Sequence, residues 1–121
     1  MKKTVVAIFE DDVVNRFIYE RLFTDRRENT ELYIFDNAEK GIEMARTIPF
    51  DVVFIELHFW RTFGGIAILK KLKEVCPPEL IAIAMTALLQ KGDLEFIMSS
   101  GFTLCVEKPI LFKEADLNKY F

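Results

Sequence analysis

The feature that most constrains the fold of this chain is the regular alternation of two hydrophobic periods. Five short apolar runs recur along its 121 residues: TVVAIF, ELYIF, FDVVFI, LIAIAM and FTLCVE. The first, third and fourth runs are nearly continuous in Val, Ile, Ala and Phe, which is typical of strands that are covered on both faces. The sequence therefore predicts five strands, most of them buried.

The segments between the runs have the period of amphipathic helices. Their apolar stripes predict surfaces that face the core, and the stripes consist of Val14, Phe17, Ile18 and Leu22, then Ala38, Ile42 and Ala45, then Ile66, Leu69 and Leu72. A fourth helix is predicted in GDLEFIMSSG, where Asp93 could cap and Gly101 could terminate it, and a short last helix in FKEADLNKYF. Repeated strand–helix alternation implies right-handed crossovers and a parallel sheet between two layers of helices. We expect one doubly wound α/β domain spanning residues 1–121.

Composition excludes several classes of function. The net charge is −3 and the basic residues are scattered, whereas a nucleic-acid surface needs clustered Lys and Arg. The apolar run after Lys2 and Lys3 is too short for a signal peptide and meets acidic residues, and no membrane segment is present. Cys76 and Cys105 show neither metal-ligand spacing nor a dense disulfide pattern. We expect a reduced, cytoplasmic protein that binds neither nucleic acid nor membrane.

Polar side chains follow four of the predicted strands. The residues at these strand ends are Glu10, Asp11 and Asp12 after the first, Glu56 after the third, Thr86 after the fourth and Lys108 at the end of the fifth. In a doubly wound sheet the functional crevice lies beyond the carboxyl ends of the strands. Crowded carboxylates raise one another's pKa unless a cation compensates them. Hard carboxylate oxygens suit Mg²⁺, which engages phosphate oxygens, and Lys108 would add positive charge for a phosphoryl group.

These residues resemble the receiver domain of response regulators, the module that accepts a phosphoryl group from a histidine kinase in two-component signalling. The resemblance covers essentially the whole chain and rests on the segments VVAIFEDDVVNRFIYERLF, DNAEKGIEMA, FDVVFIELHFWRTFGGIAILKKL, IAIAMTA and GFTLCVEKPI. It implies a flavodoxin-like sheet of order 2-1-3-4-5 with helices on both faces. It also implies a phosphorelay module that is not an enzyme, whose partner is a histidine kinase or another signalling protein. The oligomeric state, a dimer included, stays open.

The resemblance assigns a metal site to the carboxylates. Glu10 and Asp11 correspond to the family's metal pair, and Glu56 and the backbone carbonyl of His58 would complete the site. Asp12 is as well suited to capping the first helix as to contacting metal. The side chain of His58, the lone histidine, is assigned no chemistry.

The resemblance also assigns the groups that would engage the phosphoryl group. Thr86 corresponds to the hydroxyl residue, Lys108 to the cation and Glu56 to the acceptor position. Pro109 after Lys108 indicates that the lysine is held in place, and the family's Lys-Pro bond is often cis.

Glu56 is the main departure from the family, which has Asp at this position. The extra carbon–carbon bond, about 1.5 Å, moves the carboxylate outward, and a misplacement of about 1 Å can cost roughly a hundredfold in rate. We therefore expect Glu56 to be a poor acceptor that pairs directly with Lys108. Such a pair would partly mimic a phosphorylated aspartate, whose phosphoryl group carries more charge and one more oxygen. Mg²⁺ binding would then be weakened or absent.

Two further departures lie beside the acceptor position. Phe59 and Trp60 stand where the family usually has Met-Pro, and together with Phe63 they are either buried against helices or exposed as a partner surface. Cys105 stands where the family usually has an aromatic residue that reorients on activation. Signalling through the usual coupling of hydroxyl and aromatic residue is therefore not expected to survive unchanged.

Two other functions stay open at this stage. One is a Mg²⁺-dependent phospho-acceptor that a histidine kinase phosphorylates on Glu56 or on a neighbour such as Asp11. The other is a Mg²⁺-dependent phosphohydrolase. The sequence favours the phosphohydrolase least, because such an enzyme needs a nucleophilic Asp and an acid placed for proton transfer, which do not follow the first strand in that arrangement.

Overall fold

The five predicted strands form one parallel sheet. The computed structural model describes residues 2–24, 28–87, 89–90 and 92–108. Its strands are β1 (Thr4–Phe9), β2 (Thr30–Phe35), β3 (Val52–Glu56), β4 (Ile81–Thr86) and β5 (Leu104–Glu107). Their order in the sheet is β2-β1-β3-β4-β5, and every neighbouring pair is parallel. The predicted doubly wound topology is confirmed.

Helices cover both faces of the sheet. They are α1 (Val13–Thr24), α2 (Ala38–Ala45), α3 (Gly64–Val75) and α4 (Asp93–Ser99). Side chains of β1 alternate between the two faces, because successive residues of a strand point in opposite directions. Ala7 and Phe9 pack in one core with α2, α3 and α4, whereas Val6 and Ile8 pack in the other with α1.

The predicted stripes of α2 and α3 are confirmed, since Ala45, Leu69 and Leu72 are buried and Ile42 and Ile66 pack against the same core. The terminator of α4 is also confirmed, because Gly101 has a positive φ of 111° directly after the last turn. The cap of α4 is Gly92 rather than Asp93.

The predicted core stripe of α1 is wrong. Val14 is 61% exposed, Phe17 63% and Ile18 37%, while Tyr19 and Phe23 are buried against the sheet. Leu22 is only partly buried. Apolar residues surround most of this helix, so their spacing fits two faces equally well. The aromatic pair Tyr19 and Phe23, four residues apart, takes the inner one.

Two predictions lie outside the described residues: the last helix in FKEADLNKYF and the conformation of the bond before Pro109. Within the described ranges, none of the helices combines the length and the apolar character that crossing a membrane requires.

Candidate functional site

Lys108 lies between two acids that come from different strands. Its ammonium nitrogen Nζ is 2.6 Å from Oε1 of Glu10 and also contacts Oε1 of Glu56. All three side chains are nearly enclosed, with exposed fractions of 11% for Lys108, 10% for Glu56 and 1% for Glu10. The predicted pair of Glu56 and Lys108 is present, and Lys108 is shared with Glu10.

The sheet brings these groups together because they sit at the carboxyl ends of parallel strands. Glu10 follows β1, and its backbone N–H donates to Phe35 O of β2 at 3.0 Å. Glu56 is the last residue of β3 and lies opposite Met85 of β4. Lys108 follows β5, and its backbone N–H donates to Thr86 O at 2.8 Å. Pairing thus continues past β1 and β5 and fixes where the acid and the cation emerge.

Glu10 accepts hydrogen bonds from several further donors. The Tyr19 hydroxyl donates to its Oε1 at 3.2 Å, and the Asp12 N–H donates to its Oε2 at 3.2 Å. Arg16 Nη1 donates to the Glu10 backbone carbonyl at 3.1 Å. The side chain of Glu10 is therefore hydrogen-bonded at both oxygens although it is fully buried.

Tyr19 is the site residue that the sequence reasoning missed. The sequence pattern gives Tyr19 no role, since the predicted core stripe of α1 consists of Val14, Phe17, Ile18 and Leu22. A usable signal existed, since a buried tyrosine normally needs a partner for its hydroxyl, and a helix that follows an acid cluster offers one. Tyr19 is buried and donates to the first acid of that cluster.

Burial and charge shift the titration of this network. Burial raises the pKa of Glu10, and the charge of Glu56 adds to this, although the hydrogen bond and charge of Lys108 act in the opposite direction. Burial alone would lower the pKa of Lys108, but its hydrogen bonds to Glu10 and Glu56 and their charges outweigh this and raise it. Burial, followed by the charge of Glu10, raises the pKa of Tyr19. The lysine and the tyrosine therefore hold their protons more firmly than exposed residues do.

The second oxygen of Glu56 holds the loop that follows β3. Its Oε2 accepts the His58 N–H at 2.9 Å. The start of α3 packs closely below, since a Cβ at Gly65 would clash with the Glu56 carbonyl oxygen and the Gly65 N–H donates to Leu57 O at 2.8 Å. Glu56 is thus bound by Lys108 on one oxygen and by the loop on the other.

Asp11 also bonds to this loop rather than to Lys108. Its Oδ2 accepts the Trp60 N–H at 2.9 Å. Trp60 and Phe63 have positive φ angles of 62° and 57°, which are unusual for aromatic residues and require external hydrogen bonds to hold them. Nδ1 of His58 accepts the Phe63 N–H at 3.0 Å, so the lone histidine supports the loop.

The alternatives that the sequence left open at this edge are now decided. Phe59 is buried, Trp60 is 75% exposed, and Phe63 is half-buried against the rings of His58 and Phe96. Asp12 is a helix cap, because its Oδ2 accepts the Asn15 N–H at 2.9 Å at the start of α1.

The carboxylate oxygens in this arrangement are engaged by groups of the chain itself. Oxygens of Glu10, Asp11 and Glu56 are directed to Lys108 Nζ and to the backbone N–H groups of loops. No three His, Cys, Asp or Glu side chains of the described residues are grouped so that they could hold a metal ion. The point on which Oε1 of Glu10 and Oε1 of Glu56 converge is taken by Lys108 Nζ, whereas a Mg²⁺ site would need that space for the ion and its water ligands. What the residues form instead is a buried ion-pair network.

Thr86 and Cys105 lie close by in the sheet. Thr86 is buried at the end of β4, opposite Glu107 of β5. Burial, and to a lesser extent Glu107, raises the pKa of the Cys105 thiol, which keeps it uncharged at neutral pH. The signalling role of the Thr86 hydroxyl and the role of the His58 carbonyl stay predictions.

Comparison with known proteins places this geometry in context. The family model of the response regulator receiver domain matches residues 6–120. No curated protein matches the chain by sequence.

Solved structures share the fold at low sequence identity. A two-component response regulator from Legionella pneumophila superposes with a TM-score of 0.78 at 19% identity, over 98% of this chain and 95% of that one. A CheY-like receiver domain protein from Methanospirillum hungatei has a TM-score of 0.77 at 18% identity, over 98% and 90%. A third match is a co-crystal structure of the Saccharomyces cerevisiae histidine phosphotransfer protein Ypd1 and the receiver domain of its downstream regulator Ssk1. Its TM-score is 0.74 at 20% identity, over 92% of this chain and 82% of that one.

Proposed function

The chain belongs to the response-regulator receiver domain family, and we propose that it is a signalling module whose output does not require phosphorylation. Glu56 stands at the position of the acceptor aspartate and engages Lys108 permanently. The observation that carries this proposal is the contact between Lys108 Nζ and Oε1 of Glu56. Receiver domains are generally signalling modules without turnover, and the proposed module has none of its own.

Glu56 reproduces part of what a phosphorylated aspartate supplies. It places a negative oxygen against Lys108, the cation that would otherwise bind the phosphoryl group. It supplies one charge, whereas a phosphoryl group carries about −1.5 to −2 and three acceptor oxygens. The proposed state is therefore fixed and partial, and partner proteins read it continuously.

The proposal extends to cofactor and partners. Receiver domains typically use Mg²⁺ for phosphorylation, and the present carboxylates are engaged by Lys108 and by loop N–H groups. Mg²⁺ binding is accordingly proposed to be weak. The proposed partners are a histidine kinase or another signalling protein of the cytoplasm, with the chain acting as a single receiver domain without nucleic-acid or membrane contacts. The receiver domain of a yeast response regulator has been crystallised with a yeast histidine phosphotransfer protein, which supports this class of partner.

Phosphodonor chemistry tests the proposal directly. The protein is incubated with Mg²⁺ and acetyl phosphate and then weighed intact by mass spectrometry. We expect no phosphate adduct on the wild-type chain and an adduct on Glu56→Asp, because the shorter side chain withdraws from Lys108 and leaves room for the phosphoryl group. Glu56→Gln is the matched control, since it keeps the length of glutamate, lacks a nucleophilic oxygen anion and stays unmodified.

Three outcomes contradict the proposal. A stoichiometric adduct on the wild-type chain favours the phospho-acceptor function, and peptide mapping then distinguishes Glu56 from Asp11. If neither the wild type nor Glu56→Asp accepts phosphate, the glutamate at position 56 is not what prevents phosphorylation. Turnover of a generic phosphate ester would instead identify a phosphohydrolase.

A further inference from the structure

β2 is the outermost strand on one side of the sheet and pairs with β1 alone in the described part of the chain. The backbone carbonyls of Asn29 and Phe35 accept N–H groups from the two ends of β1, at 2.9 and 3.0 Å. Backbone groups of a strand alternate in direction with a period of two, so the odd-numbered residues of β2 bond to β1. The N–H and C=O groups of Leu32 and Ile34 therefore point to the other side, which we call the β2 edge.

The β2 edge lacks the devices that usually protect such a strand. Natural edge strands tend to be short or to carry Lys, Pro or a bulge, which prevents further pairing. All six residues of β2 are in register with β1, so no bulge interrupts the strand. Its sequence, TELYIF, contains neither Lys nor Pro, and its apolar residues Leu32, Tyr33 and Ile34 are only half-buried. A further strand can therefore pair with it.

An open groove lies beside β2 on the α2 side of the sheet. Its volume is about 840 Å³, and its apolar lining consists of Phe35 from the end of β2 and Met44 and Ile48 from α2 and the turn after it. Glu39 and Glu43 also line it. Because the side chains of a strand alternate between the two faces of a sheet, every second residue of an added strand would lie on the side of this groove.

The charge around the β2 edge indicates which kind of strand fits. Between residues 30 and 48 the exposed charged side chains are the acids Glu31, Asp36, Glu39 and Glu43 and the bases Lys40 and Arg46. Arg46 is already paired with Glu43 at 3.2 Å. Pairing with a second copy of the chain would bring two regions of surplus negative charge together, whereas a basic segment meets opposite charge.

We propose that the β2 edge binds an extended, basic peptide segment of a partner protein, which joins the sheet as a strand beside β2. Its backbone bonds to the N–H and C=O groups of Leu32 and Ile34, and its alternate apolar side chains lie on the side of the α2 groove. Backbone pairing supplies affinity in this mode of recognition, and the side-chain contacts supply selectivity. The interaction is separate from the acceptor end, since Glu56 and Lys108 belong to other strands of the sheet.

Fluorescence anisotropy with a labelled peptide, Lys-Ile-Lys-Ile-Lys-Ile-Lys with blocked termini, tests the proposal on the full chain. This order of residues is the same in both directions, so the probe suits parallel and antiparallel pairing alike. We expect saturable binding that falls at least about tenfold when the backbone amides of the peptide are N-methylated, because the side chains and charges remain but the pairing is lost.

Charge reversal on the protein locates the binding site. Glu31→Lys combined with Glu39→Lys should weaken binding about fivefold or more at low ionic strength, because two attractions become repulsions. The matched control combines Glu74→Lys with Glu79→Lys, two exposed acids outside this region. It changes the net charge equally and should leave binding nearly unchanged.

Amide hydrogen exchange of the wild-type chain, followed by NMR, identifies the strand that pairs. In the free chain the amide protons of Leu32 and Ile34 should exchange faster than that of Tyr33, which faces β1. Saturating peptide should slow the exchange of Leu32 and Ile34 and leave Tyr33 unchanged. This alternation is specific to a strand added at the β2 edge.

Four results would overturn the proposal. They are the lack of saturable binding, equal binding of the N-methylated peptide, equal weakening by the two pairs of charge reversals, and protection of Leu32 and Ile34 that rises with protein concentration in the absence of peptide. The last result would identify a second copy of the chain as the occupant. Circular dichroism shows whether each variant has kept its fold, and the N-methylated peptide and the exchange measurement use the wild-type chain alone.

Discussion

The acceptor end of the sheet and the outer face of α1 depart from the usual distribution of side chains in opposite directions. Around Lys108, the charged residues Glu10 and Glu56 are buried. Along α1, Val14 and Phe17 are more than half exposed. Charged side chains are almost never fully buried unless they are paired, and continuous exposed apolar surface marks contact with another molecule.

The two regions differ in whether the chain itself supplies partners for the unusually placed side chains. The buried carboxylates are satisfied within the chain, by Lys108, Tyr19 and backbone N–H groups. The apolar face of α1 has no cover in the described part of the chain. Substitutions at the acceptor end should therefore change the stability of the monomer, whereas substitutions on the exposed face of α1 should leave it almost unchanged.

The largest effect is expected from removing the shared cation. Lys108→Met leaves Glu10 and Glu56 buried without a positive partner, and breaking a buried pair in this way costs about 3–5 kcal/mol of unfolding free energy. Urea denaturation followed by circular dichroism measures the loss. We expect Lys108→Met to be less stable than the wild type and to have the same fold before the urea-induced unfolding transition.

The control for this variant is Lys71→Met on α3, where the lysine is exposed. Exposed substitutions away from special features usually change stability by less than about 0.5 kcal/mol. If Lys108→Met costs no more than Lys71→Met, the ammonium does not compensate the two acids, and the contrast between the regions fails.

The acceptor-end half of this contrast could be predicted from the sequence, because the sheet follows from a strong local signal. The five apolar runs correspond to the five observed strands, and their carboxyl ends carry Glu10, Glu56 and Lys108 at one edge. In a parallel sheet, strand ends that are far apart in sequence meet in space, so the pairing of Glu56 with Lys108 could be expected from their positions.

The directions of individual side chains could not be predicted in the same way. Asp11 accepts the Trp60 N–H in a loop whose backbone turns through positive φ, and the sequence pattern does not predict this contact. On α1 the apolar residues cover most of the circumference, and only the packing of Tyr19 and Phe23 decides which side faces the sheet. Both cases depend on tertiary contacts that a hydrophobic period does not encode.

A smaller effect is expected where α1 meets the acceptor end. Tyr19→Phe removes a hydrogen bond to Glu10 and should cost about 1–2 kcal/mol at neutral pH. The Tyr19 hydroxyl should also affect how the unfolding free energy changes at alkaline pH. The folded chain keeps the protons of Tyr19 and Lys108, whose pKa values are raised above 10.0 and 10.5, while the unfolded chain releases them. Wild-type stability should therefore fall as the pH rises above about 10.

Without Tyr19, the fall still has contributions from Lys108 and from Tyr33, Cys76 and Cys105, whose pKa values are also raised. The decline of the unfolding free energy with pH should then be shallower in Tyr19→Phe than in the wild type. Urea titrations between pH 8 and the alkaline limit of folding, set here at roughly pH 11, measure both slopes. Equal slopes in the two proteins would mean that the hydroxyl does not hold its proton against Glu10.

The smallest effect on the monomer is expected two residues earlier in the same helix. Phe17→Ala removes a large aromatic side chain, yet Phe17 is 63% exposed, so unfolding free energy measured at low protein concentration should change by less than about 0.5 kcal/mol. Alanine's higher helix propensity favours a slight gain. A buried aromatic at this position would instead cost about 3–5 kcal/mol on truncation. A loss of that size would return Phe17 to the core, and α1 would then have no exposed apolar face to contrast with the buried charges at the sheet's edge.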